Sequence, residues 1–161
     1  MAYLIDANVL IQAKNAHYSF SFCPAFWDWM LAANSADKLF IVPQVLAEIA
    51  KGKDQLKNWC GIHGSLKCPS HPTLSSSRSK IANWVVAQGY NANAINTFFG
   101  VADYHIVAYA EAHGHTVVTH EIASAGFAPS RVKIPDPCRA FGISCLSPFQ
   151  MLENEGATFI I

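Results

Sequence analysis

The stretch Tyr3-Leu4-Ile5-Asp6-Ala7-Asn8-Val9-Leu10-Ile11 decides how the rest of the chain is read. Tyr3 to Ile5 is too short for a helix and too apolar for an exposed edge, so it predicts a buried strand of a parallel sheet. The run stops on a carboxylate, Asp6. A helix is expected to start near Asn8, a residue type that caps helix N-termini well. An acid in this place has two readings. It caps the next helix, or it lies beyond the carboxyl end of a strand, where open α/β sheets bind their ligands.

The remaining chain alternates in the same way. Apolar runs at 39–42 (LFIV), 116–119 (TVVT), 131–134 (RVKI) and 158–161 (TFII) predict further strands. Helical spacing is seen after Pro24, after Pro43, at 77–89, at 102–114 and at 148–156, with Gly89 and Gly114 as stops. Residues 61–80, rich in Gly, Pro, Ser and His, read as a long loop. Strands alternating with helices predict one α/β domain over residues 1–161, a three-layer α/β/α sandwich around a mostly parallel sheet.

Composition supports a core-rich globular chain: 52% of the residues are apolar and 14% charged. Eleven basic and eleven acidic residues give a formal net charge of zero, which excludes a global basic field. The distribution is uneven. Between Ile49 and Ala102 lie Lys51, Lys53, Lys57, Lys67, Arg78 and Lys80 against Asp54 alone, a local excess of +5 that the rest of the chain offsets. A basic face beside an acidic centre is one reading; a solvated surface is the other. No apolar run is long enough for a membrane span, and no basic stretch followed by an apolar core suggests export, so a cytoplasmic location is expected. The odd cysteine count, five, reads as free thiols.

Four acids sit near strand ends or helix starts: Asp6, Glu48, Asp103 and Glu121. Each has an ordinary use as a cap, an exposed helix residue or a loop residue. Asp103 resists that use, because Ile106, Val107 and Ala110 stand at i+3, i+4 and i+7 and place it along the apolar stripe of its helix. A buried carboxylate needs a partner, and clustered carboxylates repel. No basic residue lies close in sequence to Asp6, Asp103 or Glu121. Hard oxygen donors of this kind suit Mg²⁺ or Mn²⁺.

The order of these motifs, "LIDANVL", Glu48 on a helix, "ADYHIVAYA" and "VVTHE", resembles the PIN-domain nucleases from Leu4 to about Leu152. The tail "VKIPDPCRAFGISC" is similar to an uncharacterised PIN-like family of bacteria and archaea, often suspected to be toxins. The resemblance implies metal ligands at Asp6, Glu48 and Asp103, with Glu121 at the place of a fourth acid. It implies that Asn8 and Thr119 orient the acids. His120, a candidate supporting residue, lies next to the acids in sequence, as His105 does; each either contacts the scissile phosphate or is a neighbour without a chemical role. The implied chemistry is Mg²⁺- or Mn²⁺-dependent hydrolysis of RNA phosphodiesters, as the toxin of a toxin–antitoxin pair. The implied partners are the RNA substrate, an antitoxin protein and a second copy in a homodimer. The same resemblance admits an RNA-processing or DNA-directed nuclease, or a catalytically weak module that binds RNA or protein.

This sequence departs from the family in carrying Glu121 where Asp is usual and Ala125-Gly126-Phe127 where a further acid commonly precedes Phe. That bears on a second metal. His105 reads as a neighbour of the acids, and Asp136 as a cap for a short helix at Pro137. Cys60, His63, Cys68 and His71 have ligand types for zinc, but the short central spacer favours a loop with free thiols. Most of the aromatic run "YSFSFCPAFWDW" reads as core, with Phe20 and Phe22 as candidates for a partner-facing patch. No Walker A, G-x-G-x-x-G or G-x-S-x-G sequence is present, and Asn8 cannot serve as the second acid of a D-x-D phosphohydrolase.

Overall fold

The computed structural model describes residues 1–160. Four strands, β1 (Tyr3–Ile5), β2 (Leu39–Phe40), β3 (Thr116–Val118) and β4 (Cys145–Leu146), form one sheet in the order β2-β1-β3-β4. Every neighbouring pair is parallel, and Tyr3 faces Leu39 on one side and Thr116 on the other. Successive strand residues point to opposite faces. Leu4, Ile5, Val117 and Val118 are all fully buried, so both faces are covered. The result is an α/β sandwich with a central parallel sheet.

The chain leaves β1 toward one edge, forms β2, then returns to the other side of β1 as β3. This reversal opens a crevice between the carboxyl ends of β1 and β3. Asp6 stands at the first of those ends. Thr119, directly after β3, stands at the second.

The helices are α1 (Ala7–Gln12), α2 (Pro24–Ser35), α3 (Pro43–Ala50), α4 (Gln55–Ile62), α5 (Leu74–Ala87), α6 (Ala92–Gly100), α7 (Ala102–His113), α8 (Pro135–Ala140) and α9 (Pro148–Asn154). A π-helical turn, Ala13–His17, extends α1. Proline in the first turn starts α2, α3, α8 and α9. Gly114, with φ +70°, closes α7. Helix α7 packs against α3, α5 and α6 and carries the chain into β3.

Several sequence expectations are corrected. The first helix begins at Ala7, not Asn8, because Asp6 already has the extended backbone of a cap position. Residues 61–80 are not one loop. Helix α4 runs to Ile62, a short 3₁₀ turn covers Gly64–Leu66, and α5 begins at Leu74. The buried stripe of α5 is Leu74, Ser77, Ile81 and Val85, so the helix expected from residue 77 starts about one turn earlier, at Leu74. Residues 131–134 pair with no strand: Val132 and Ile134 are buried, but the Ile134 N–H is taken by the Glu121 carboxylate. The edge next to β3 is filled instead by the two-residue β4. Residues 157–160 are not strand; Phe159 packs edge-on to Tyr18 and Phe26. Ile161, the end of that expected strand, lies outside the described residues.

Phe20 stacks on Trp27 with ring centroids 4.1 Å apart, so it belongs to the packed aromatics and not to an open patch. Phe22 projects into solvent. All five cysteines are free, and His63 lies against Trp59 while His71 lies against His113. Among the described residues no helix is long and apolar enough to cross a membrane.

Candidate active site

Asp6 is buried, 3% exposed, yet it does not use its side chain to cap α1. Its Oδ2 instead accepts a hydrogen bond of 2.8 Å from the Thr119 hydroxyl across the crevice. Thr119 is itself buried, and its Oγ1 accepts from the Glu121 N–H at 3.1 Å. One hydroxyl thus ties the end of β1 to the segment after β3.

Helix α7 has no capping side chain of its own. Val101, extended at φ −120° and ψ 173°, is the corner between α6 and α7. The free N–H of Ala102 donates to Glu48 Oε1 of α3 at 2.8 Å. Glu48 therefore caps a helix that is remote in sequence. The same corner puts Asp103 in the first turn of α7, half-buried beside Glu48 in one cleft.

Glu121 accepts from the Ile134 N–H through Oε2 at 2.7 Å, and its Oε1 is paired with the Arg131 guanidinium. Nothing local in the chain marks Arg131 as a site residue. It lies ten residues past Glu121, in a segment that reads as a strand, and returns to the acids only because that segment folds back.

The electrostatics bring the four acids into one field. Burial pushes Asp6 up to about 6, and the charges of Glu121 and Glu48 add to this; the Thr119 hydroxyl and the Ala7 amide pull the other way. Burial likewise raises Asp103 to about 7, with repulsion from Asp6, Glu121 and Glu48, slightly relieved by Arg131. Two buried carboxylates without an ion-pair partner of their own are an unfavourable arrangement that a cation would relieve. The donor chemistry, carboxylate oxygens only, fits a hard divalent ion. Among the described residues, however, no three acidic, His or Cys side chains converge into a finished cage. Glu48 and Glu121 are turned toward backbone N–H groups, so holding a cation requires these two to re-aim.

The supporting residues divide. Thr119 touches Asp6. Asn8 is exposed in the first turn of α1, and no hydrogen bond of its side chain occurs among the described residues. His120 packs against His17 (5.7 Å between ring centroids) and Phe149 (5.9 Å), and no hydrogen bond joins it to the acids among the described residues. Burial, and then His17, lowers the pKa of His120. His105 Nδ1 and Gln44 Oε1 are buried without partners, beside a recess of about 170 Å³ that Glu48 and Lys51 also line. Asp136 accepts from the N–H and hydroxyl of Ser124, which fixes the loop after Glu121.

A family model described as "Domain of unknown function (DUF4411)" matches residues 3–159. The chain belongs to that family. No curated protein matches this DUF4411 chain. Among solved structures it is similar to a chain of the VapBC2 complex of Rickettsia felis, described as bound to a DNA fragment from its promoter. That match has 15% identity, a TM-score of 0.55, and covers 91% of this chain and 98% of that one. At this identity the likeness concerns the fold, and it shows that the DUF4411 chain has a PIN-like α/β fold.

Proposed function

We propose that this DUF4411 protein is a metal-dependent endoribonuclease and the toxin of a toxin–antitoxin pair. The observation that carries the reading is the gathering of Asp6, Glu48, Asp103 and Glu121 at the β1/β3 crevice, with Asp6 and Asp103 raised by burial and mutual repulsion. The VapBC2 likeness in fold supports the pairing with a separate antitoxin protein.

Asp6, Glu48 and Asp103 would hold Mg²⁺ or Mn²⁺, with Glu121 as a fourth, longer-reaching acid. Such an ion, when bound, would supply Lewis acidity, lowering the pKa of water and offsetting charge that builds on the phosphate. The chain's own residues do the positioning. The Thr119 hydroxyl orients Asp6, while Glu48 and Glu121 would turn from the Ala102 and Ile134 N–H groups to reach the ion.

The test is cleavage of single-stranded RNA in Mn²⁺ or Mg²⁺. Wild type is expected to cut, and Asp6→Asn and Asp103→Asn to lose the activity. Cleavage that survives both substitutions would sink the site assignment. Growth arrest on expression, relieved by co-expressing an adjacent gene, checks the toxin role. A second reading is favoured by the way Glu48 and Glu121 are already engaged: a module that binds RNA or protein with a weakened metal site. RNA binding without cleavage in either ion would establish it.

A further inference from the structure

Beside the acids lies an open cleft of about 440 Å³, lined by Glu48, Asp103, Asn93, Thr97, Ser130 and Arg131 among others. Its polar lining is unbalanced. Two acids belong to the candidate metal site, and Asn93, Thr97 and Ser130 are neutral hydrogen-bonding groups at the rim. Arg131 is the one cation of the lining among the described residues.

The Arg131 side chain is 61% exposed, whereas Glu121, its partner, is 11% exposed. The pairing uses one Nη of the guanidinium, and the other donors have no protein partner among the described residues. Glu121 does not depend on Arg131 for its place, because the Ile134 N–H holds its second oxygen. An ion pair with a solvated guanidinium is weak, because water screens it and the long side chain loses freedom in making it. It can therefore exchange at little cost for a better anion. A guanidinium matches a phosphate better than any other side chain does, since it presents a planar fork of donors.

We infer that Arg131 is the phosphate-gripping residue of this cleft: it rests on Glu121 in the free protein and transfers to a phosphodiester of single-stranded RNA when the strand enters beside Asp103. The inference rests on the ribonuclease reading and specifies how that site takes its substrate. It also gives the Glu121 carboxylate a second task, parking the guanidinium at the cleft until substrate replaces it.

The experiment measures binding of a fluorescent single-stranded RNA oligonucleotide in EDTA, across a salt series, for wild type, Arg131→Ala, Arg131→Lys, Glu121→Gln and the Arg131→Ala/Glu121→Gln pair. Each neutralised phosphate contributes about 0.7 to the slope of log Kd against log salt for a single strand. Arg131→Ala is expected to weaken binding about tenfold and to lower that slope by about 0.7, in both the wild-type and Glu121→Gln backgrounds. Arg131→Lys is expected to keep the slope, since the charge remains, and this variant guards against misfolding. Glu121→Gln alone should bind at least as tightly as wild type, because the guanidinium is released.

A purely structural ion pair predicts otherwise: Arg131→Ala and Glu121→Gln would weaken binding alike, with the slope unchanged. That result overturns the inference. So does unchanged binding in Arg131→Ala while wild type binds RNA and cleaves it in Mn²⁺, and in that case the ribonuclease reading stands. If wild type neither binds nor cleaves RNA, both fall together.

Discussion

Asp6 is buried and Asp103 half-buried, and the two acids are steadied differently. Asp6 has the Thr119 hydroxyl; Asp103 has no donor of comparable quality, and its carboxyl is raised further, from 3.8 to about 7. The linkage to stability follows from the sign of this shift. A raised folded-state pKa means that the native protein binds more protons than the unfolded chain between those two values. The contribution to stability is then fully present below about pH 4 and is lost as the pH rises through 7. Asp103→Asn removes the ionisation. In EDTA at about pH 8 it is expected to be more stable than wild type, on the order of 2 kcal/mol, with the gain vanishing near pH 4. Thermal or urea denaturation at the two pH values checks this; an equal loss at both would show that Asp103 serves the fold. Thr119→Val works in the opposite direction. It strips Asp6 of its donor and the Glu121 N–H of its acceptor, and is expected to cost about 1–3 kcal/mol near neutral pH.

At the scale of elements, Glu48 shows how a fold residue and a site residue can be the same one. Its Oε1 caps α7, and Gln retains such an oxygen while Ala does not. Glu48→Gln is expected to leave the unfolding free energy within about 0.5 kcal/mol of wild type, whereas Glu48→Ala should cost about 1–2 kcal/mol. Under the nuclease reading both lose metal-dependent cleavage. Equal stability losses for the two variants would remove the capping role. Gly114 offers a simpler case: nothing lies within 4 Å of an added Cβ, so Gly114→Ala pays only for φ +70°, about 1 kcal/mol in a melting experiment. These elements also show what the chain makes legible. Strands β1 and β3 are short, mostly apolar runs that stop on polar Asp6 and Thr119, so their reading needs nothing remote. Helix α7 announces itself through Ile106, Val107, Ala110 and Gly114. Elements whose signal is remote are hidden: β4 is two residues long and exists because β3 offers an open edge, and 131–134 alternates like a strand yet spends an N–H on Glu121. The four acids could be picked out by position. Arg131 could not, because only the folded return of its segment brings it to them.

At the scale of the whole molecule the neutral net charge conceals a separation. Lys51, Lys53, Lys57, Lys67 and Lys80 lie exposed, while Asp6, Glu48, Asp103 and Glu121, four of the eleven acids, stand at the crevice. An acidic centre of this kind makes stability respond to pH, and under the nuclease reading to divalent ions as well. Without metal, Asp6 and Asp103 both lose favourable protonation as the pH rises from about 5 to 8, so the melting temperature is expected to fall over that interval. Under the nuclease reading protons and metal compete for the same oxygens, so the effect of Mn²⁺ is expected to run the other way. Its stabilisation is expected to be small near pH 5 and to grow toward pH 8, reaching about 2.7 kcal/mol when the ion is present at 100 times its Kd. Asp6→Asn and Asp103→Asn should flatten both trends, the intrinsic one and the metal-induced one. Differential scanning calorimetry at several pH values, in EDTA and in Mn²⁺, separates the two. A pH-dependent fall in EDTA that Mn²⁺ does not reverse would mean that the acids are clustered but hold no ion, and it would favour the binding-module reading over catalysis.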